Sequence, residues 1–298
     1  MMKKLMILLA LMLMLSACGG EPAATEAEGS QEQTEAVATE ATATEPAVAE
    51  TPETEKEAPV TIEEIPYVIE LQDPDSIGNV YGRGTYENKS EFIMNSFDLE
   101  MKLNDVNETT YYMTYDTVRP NETSAVFEAS GPSTGLDSDM EPLKLNYHVT
   151  RGNDHYYISY DFKTQKYEYM ESEPFESEVE PPVTVDQMPY EIELQEPDSI
   201  GNVYGSATVT NKSEMTVTGF SITMLLKDVN EKTYYSTYDT LLPGDTSSVF
   251  ESSGPETGLV SDMEPLEIQI IVQGEDGTEY HIDYNVKTEK YDVLEIEP

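Results

Sequence analysis

No tryptophan, a single cysteine, three histidines and only 16 lysines and arginines stand in this chain of 298 residues, against 59 aspartates and glutamates. Each shortage excludes something. One cysteine rules out a disulfide framework and a thiolate metal site, so the fold must be held by its core alone. The scarcity of cations leaves a formal net charge of −43, which repels nucleic acid and anionic lipid headgroups and attracts polycations and divalent metals. Glycine-rich phosphate loops, His-x-x-x-His metal helices and nucleophile elbows are all missing. So are long apolar runs, apart from Leu5 to Leu15, which is too short and too N-terminal to span a membrane.

That one apolar run has a meaning of its own. Lys3 and Lys4 precede it, and Leu15-Ser16-Ala17 stands directly before Cys18. The order reads as a secretory signal over residues 1–17, and Leu-Ser-Ala-Cys resembles the lipobox of bacterial lipoproteins. The resemblance implies cleavage before Cys18 and diacylation of its thiol. The chain is then expected on the extracytoplasmic face of the cell membrane, lipid-anchored, with buried methylenes worth about 0.8 kcal/mol each. Residues 18–58 follow as a stretch dominated by Glu, Ala, Thr and Pro without one aromatic, a composition that cannot build a core and predicts a disordered acidic linker.

After the linker the text repeats. "PVTIEEIPYVIELQDPDSIGNVYG" (59–82) returns as "PVTVDQMPYEIELQEPDSIGNVYG" (182–205), and the alignment runs without a gap to Val149 and Val272. A one-residue slip then matches "FKTQKY" (162–167) to "VKTEKY" (286–291). Two domains are expected, residues 59–172 and 182–298, joined by an acidic hinge over 173–181. Each is long enough to bury roughly two-thirds of its unfolded surface. Apolar residues recur at period two, as in Phe97, Leu99, Met101, Leu103 and in Phe220, Ile222, Met224, Leu226, and no segment shows a helical face. Turn signals such as Asn88-Lys89-Ser90 and Pro243-Gly244-Asp245 separate the runs. The pattern predicts seven or eight short strands per copy: an all-β chain of two tandem antiparallel β-sandwich domains.

The order "GSATVTNKSEMTVTGFSITMLLKD" (205–228), then "YDTLLPGDTSSVFES" (238–252), resembles the FxLYD type of bacterial immunoglobulin-like domain. The shared features are a strand ending in Val-x-Asn-x-Ser, a long strand, and Leu-x-Pro-Gly-Asp-Thr before a strand bearing Phe. The family's own Phe and Tyr are missing from both copies, at Met101–Asp105 and Met224–Asp228, and the first copy has Arg119-Pro120-Asn121-Glu122 where glycine belongs. The resemblance implies an immunoglobulin-like fold and an extracytoplasmic accessory module with no catalytic residues to carry over.

Three turn segments are retained between the copies: "PDSIGN", "DVNE" and "SDMEPL". They fall before the second strand, after the third and before the sixth, so they are expected at one pole. Asp75, Asp105, Asn107, Asp139 and Glu141, with Asp198, Asp228, Asn230, Asp262 and Glu264, would supply there the oxygen mixture that Ca²⁺ accepts, although no EF-hand spacing is present. The competing reading is that these residues are kept because they make turns. Tyr111, Tyr112 and Tyr115, with Tyr234, Tyr235 and Tyr238, crowd one strand in each copy and read either as cross-strand packing or as a platform for carbohydrate or peptide. His148 and His281 fall on outward positions of their strands, and the alignment pairs no histidine with another.

The expected function is a non-catalytic binding or scaffold module on the cell envelope, with an envelope protein or polysaccharide as partner, no nucleic acid, and no cofactor beyond the calcium just described. The alternative is an envelope enzyme using carboxylates or tyrosines in an inter-domain cleft. An enzyme predicts a deep pocket with different residues on its two walls, whereas a binding module predicts two equivalent shallow surfaces.

Overall fold

The period-two runs fold as strands, because alternation lets every second side chain enter a core while its neighbours face water. The computed structural model describes residues 58–173 and 179–298. The expected signal segment 1–17, Cys18 and the expected linker through residue 57 lie outside the described residues, as do residues 174–178 of the expected hinge.

In the first repeat the strands are β1 (Tyr67–Leu71), β2 (Tyr81–Tyr86), β3 (Ile93–Leu103), β4 (Glu108–Thr114), β5 (Phe127–Ser130), β6 (Met140–Arg151), β7 (Asp154–Asp161) and β8 (Lys166–Ser172). In the second they are β9 (Tyr190–Leu194), β10 (Tyr204–Val209), β11 (Thr216–Leu226), β12 (Glu231–Thr237), β13 (Phe250–Ser253), β14 (Met263–Gln273), β15 (Glu279–Asn285) and β16 (Lys290–Ile296). All pairings are antiparallel. Each repeat forms a three-stranded sheet, β1-β2-β5 or β9-β10-β13, and a five-stranded sheet, β4-β3-β6-β7-β8 or β12-β11-β14-β15-β16. Apart from four single-turn 3-10 helices, the described residues are all-β, and none of their helices is long and apolar enough to cross a membrane.

The two sheets of each repeat send their apolar faces into one core, and each core draws on its own repeat alone. In the first, Phe97 stacks on Tyr86 at 4.6 Å between ring centres and meets Phe127 at 5.5 Å. The second has Val209 where Tyr86 stands and Ile270 where Tyr147 stands, so its core is mostly aliphatic. Burying one such side chain is worth about 1.5–3 kcal/mol.

Two devices recur in both copies and explain retained residues. Tyr112 of β4 and Tyr235 of β12 reach across to the smaller sheet and donate their hydroxyls to the carbonyls of Ser130 (3.3 Å) and Ser253 (3.0 Å). They pass directly over Gly82 and Gly205, where an added Cβ would stand 2.1 Å from the tyrosine oxygen. Only glycine leaves that space. At the other end, the buried Asn88 amide donates to the carbonyls of Phe92 (2.7 Å) and Val118 (2.9 Å), while its oxygen accepts from the backbone and hydroxyl of Ser90. Asn211 does the same with Met215, Leu241 and Ser213. The Val-x-Asn-x-Ser pattern is thus a satisfied buried polar knot that ties three segments together. Where the second copy has Gly244 at φ 90, the first holds Asn121 at φ 65, so asparagine keeps the left-handed turn without glycine.

Candidate functional site

The retained turns do meet at one end of each repeat. In the first, the Gly131 amide donates to the Val80 carbonyl (2.9 Å) and the Asn104 amide to the Asp139 carbonyl (2.8 Å). What the carboxylates do there differs from the calcium expectation. Asp75 accepts from the amides of Ile77 and Asn79 and from the Asn79 side chain, and Asp198 repeats this with Ile200 and Asn202. Asp105 accepts from the backbone and hydroxyl of Ser133, both at 2.7 Å, and Asp228 from the Thr257 amide. Asp139 and Asp262 take the hydroxyls of Thr134 and Thr257. These bonds hold the carboxyls of Asp75, Asp105 and Asp198 below the usual range, chiefly through the Asn79 amide, the Ser133 hydroxyl and the Asn202 amide respectively.

The remaining four of the ten are occupied differently. Glu141 and Glu264 lie within β6 and β14, opposite Lys102 and Leu225. Asn107 and Asn230 occupy left-handed turn positions at φ 55. Among the described residues, no three of His, Cys, Asp and Glu come together as a metal cage. The pole is a set of capped turns, with Asp75, Asp105, Asp198 and Asp228 bonded to loop amides and Asp139 and Asp262 to threonine hydroxyls.

The tyrosine platform divides in two. Tyr112 and Tyr235 are fully buried core residues, a correction to the binding expectation that follows from the pleat: they alternate with Tyr111 and Tyr234, which face out. Burial pushes their hydroxyls up to about 12. Tyr115 and Tyr238, just past the strand ends, are the most exposed, at 76% and 80%.

The two repeats dock against each other, which sequence reasoning missed. The Asn230 side chain donates to the Ser124 carbonyl (2.9 Å), and the Val126 amide donates to the Asn230 carbonyl (2.9 Å). Three ion pairs surround this contact: Lys232–Asp116 at 2.8 Å, Lys287–Glu122 at 2.7 Å, and Arg83–Glu231. Asn285 donates to the Thr117 hydroxyl at 2.7 Å, and the Arg119 guanidinium bonds the Lys287 carbonyl. Four of the 16 basic side chains are therefore committed to one junction. The signal was in the places where the copies disagree: Arg83, Arg119 and Lys232 stand against Ser206, Leu242 and Thr109. In an acidic chain, a cation gained by one copy alone is informative.

Docking leaves concave surfaces that the repeats do not share equally. A cleft of about 310 Å³ lies at the junction, with Asp116 and Ser124 on one wall and Lys232, Glu267 and Asn285 on the other. Burial, then the charge of Asp283, pushes Glu267 up. On the five-stranded sheet of the first repeat, a concavity of about 530 Å³ is lined by Asp98, Asn146 and Ser159 with Tyr115, Tyr157 and Met170 at its edge. One Asp98 carboxylate oxygen is buried there without a hydrogen-bond partner, and burial raises its pKa. The aligned positions in the second repeat are Ser221, Gln269, Asp283, Tyr238, His281 and Leu294, a different surface.

The histidines also depart from the surface reading. His148 stacks on Tyr157 at 4.3 Å between ring centres and stands 5.9 Å from His155, which is only 8% exposed. Alignment between copies did not bring them together. The β6–β7 hairpin did, through its pairs His148–Tyr157 and Thr150–His155.

Comparison with known proteins adds little. No family model matches the chain and no curated protein matches it. Among solved structures, red sea bream transglutaminase aligns at 9% identity and a TM-score of 0.18 over 80% of this chain. The chain spans 31% of that protein's length, and so low a score carries no argument about fold or activity.

Proposed function

We propose that this chain is an extracytoplasmic lipoprotein, anchored by lipid at Cys18, whose two repeats are immunoglobulin-like β-sandwiches forming one non-catalytic binding module. The strand orders β1-β2-β5 and β4-β3-β6-β7 correspond to the A-B-E and C′-C-F-G sheets of that architecture and support the FxLYD-like resemblance. The observation that carries the binding reading is the face of Tyr115, Tyr157 and Met170 around Asp98, Asn146 and Ser159. Aromatic edges around a polar floor suit an envelope polysaccharide, whose C–H faces stack on rings while its hydroxyls meet acceptors.

The test uses the full chain in bacterial cells. Labelled palmitate enters the protein and fractionates with membrane, and Cys18→Ala removes both. Retention on isolated envelope polysaccharide falls about tenfold or more in Tyr157→Ser, as for an interface anchor, and is unchanged in Tyr234→Ser. Lipid labelling that survives Cys18→Ala, or retention indifferent to Tyr157, would sink the reading.

The junction cleft favours a second reading, an envelope enzyme, since its two walls differ as that reading requires. A raised Glu267 beside the Lys232–Asp116 pair has the makings of a proton donor. Turnover of an envelope substrate that is lost in Glu267→Gln, with palmitate labelling intact, would select it.

A further inference from the structure

A third concavity, of about 490 Å³, opens where the β6–β7 hairpin of the first repeat faces the turn between β15 and β16 of the second. Its lining runs against the character of the whole chain. Lys287, Lys290, His148 and His155 project around it with Glu173 as the one carboxylate, whereas acids outnumber lysines and arginines 59 to 16 over the sequence. Neutral donors fill the gaps: Asn95, Asn285 and the hydroxyls of Thr117, Thr150, Ser172 and Thr288, with Tyr157 at the rim.

Two polar atoms there are left without a use. The Nε2 atoms of His148 and His155 are both buried and make no hydrogen bond, and His155 is more than nine-tenths buried. A buried polar atom without a partner is costly to leave so, and such a pair beside one cleft calls for an explanation. Lys290 makes no ion pair among the described residues, and Lys287 is held in place by Glu122. None of this repeats in the sequence, because Ile271 and Glu279 align with His148 and His155. The cleft lies at the junction, between residues of both repeats.

We propose that this cleft binds a phosphate group, with Lys290 and Lys287 supplying charge and the His148–His155 pair and the surrounding hydroxyls and amides supplying hydrogen bonds. Phosphate fits better than carboxylate because no guanidinium fork lines the cleft. Ammonium, hydroxyl and imidazole donors arriving from separate directions match a tetrahedral anion, whereas a planar carboxylate is best met by arginine. The empty cleft keeps His148 neutral, since burial and then the charge of His155 lower its pKa. A bound dianion opposes both effects, so binding near pH 7.5 takes up a proton at His148. The groups that face the imidazoles are Tyr157, Glu173, Lys287 and Lys290, with Arg151 and Asp154 at the hairpin end.

The experiment is calorimetric titration of the full chain with inorganic phosphate, against citrate and chloride at matched ionic strength. It is read together with the imidazole ¹⁵N resonances of ¹⁵N-labelled protein. Phosphate is expected to saturate one site and to move the signals of His148 and His155 but not His281. Lys290→Gln, at an exposed position that leaves folding intact, should weaken binding about five- to tenfold, the cost of one charge-assisted contact. Lys166→Gln, on β8 outside the cleft, should change nothing. His148→Gln should abolish the proton uptake on binding, read from titrations in buffers of different ionisation heat. Citrate binding as well as phosphate would replace phosphate by carboxylate recognition and overturn the proposal as stated. So would equal responses to chloride, or a Lys290→Gln variant of unchanged affinity. Palmitate labelling at Cys18 does not enter any of these outcomes, so lipid anchoring and phosphate binding fail separately.

Discussion

The first repeat and the second are built on one plan and used at opposite ends. Tyr112 over Gly82 and Tyr235 over Gly205 are the same joint, and Asn88 and Asn211 tie the same knot. The copies part company where they touch. The "DVNE" turn of the first repeat leaves Asn107 exposed, while the same turn in the second plants Asn230 on Ser124 and Val126. The copies share one frame, and the cations Arg83, Lys232 and Lys287 pair across the junction where one copy meets the other. The lesson is that identity between copies reports what holds a repeat together, and differences report what the pair does.

Breaking the shared joint should have the largest effect. Gly82→Ala and Gly205→Ala each force a methyl into a tyrosine hydroxyl and should cost about 2–3 kcal/mol or more, nearly equally, in denaturant unfolding. A much larger loss in one copy would show that the joint is not equivalent in the two cores. Next comes the junction. Lys232→Thr, which installs the residue that the first repeat has at the aligned position, removes the partner of the partly buried Asp116. It should weaken docking by about 1–3 kcal/mol, seen as faster protease cleavage within residues 173–181, while Thr109→Lys in the first repeat changes neither.

The pH profile sharpens the same comparison. Asp98 in the first repeat, with Glu267 and Asp283 in the second, has its pKa raised by burial; Asp283 adds to this on Glu267, and Asp292 adds to it on Asp283. Just above ordinary carboxylate values the folded chain holds protons that the unfolded chain has released. Stability therefore rises as pH falls from neutral toward about 4.5. The turn carboxylates Asp75, Asp105, Asp198 and Asp239 are lowered, and the stability they lend is complete above 3.8 and is lost as pH falls through their folded values. The melting temperature should thus peak in mild acid. Asp283→Asn should flatten the neutral side of that peak more than Asp98→Asn, because two further acids, Glu267 and Asp292, act around Asp283 alone.

The smallest effect expected is ionic. Millimolar Ca²⁺ and Mg²⁺ should raise the melting temperature alike, and no more than NaCl of equal ionic strength, since the retained carboxylates already serve loop amides. A shift selective for Ca²⁺ and lost in Asp105→Ala would restore a metal to the pole.

Much of the frame could be read from the letters. Alternation in Phe97–Leu103 and Phe220–Leu226 marked the central strands, and the β character of both copies followed from the turns between them. The tyrosines were only half legible. Tyr111 and Tyr112 are adjacent, and which of two neighbours faces inward depends on the strand's phase against a sheet that the sequence does not display. The histidine pair was invisible for a related reason, because comparing copies places His148 beside Ile271 and says nothing of its hairpin partner.

By itself the sequence determined the repeat, the strands, the turn residues and the charge, all of which depend on local pattern. Period two is a property of the chain, and Asp, Asn and Gly make turns within a few residues of themselves. Only the tertiary structure decided which carboxylates were already spent, which tyrosines were core, and that the two repeats form a junction. Those outcomes depend on contacts between separate segments of the chain, from Asp105 with Ser133, 28 positions apart, to Lys232 with Asp116, 116 apart. Their free energy comes from burial and pairing that exist only once the sheets are assembled.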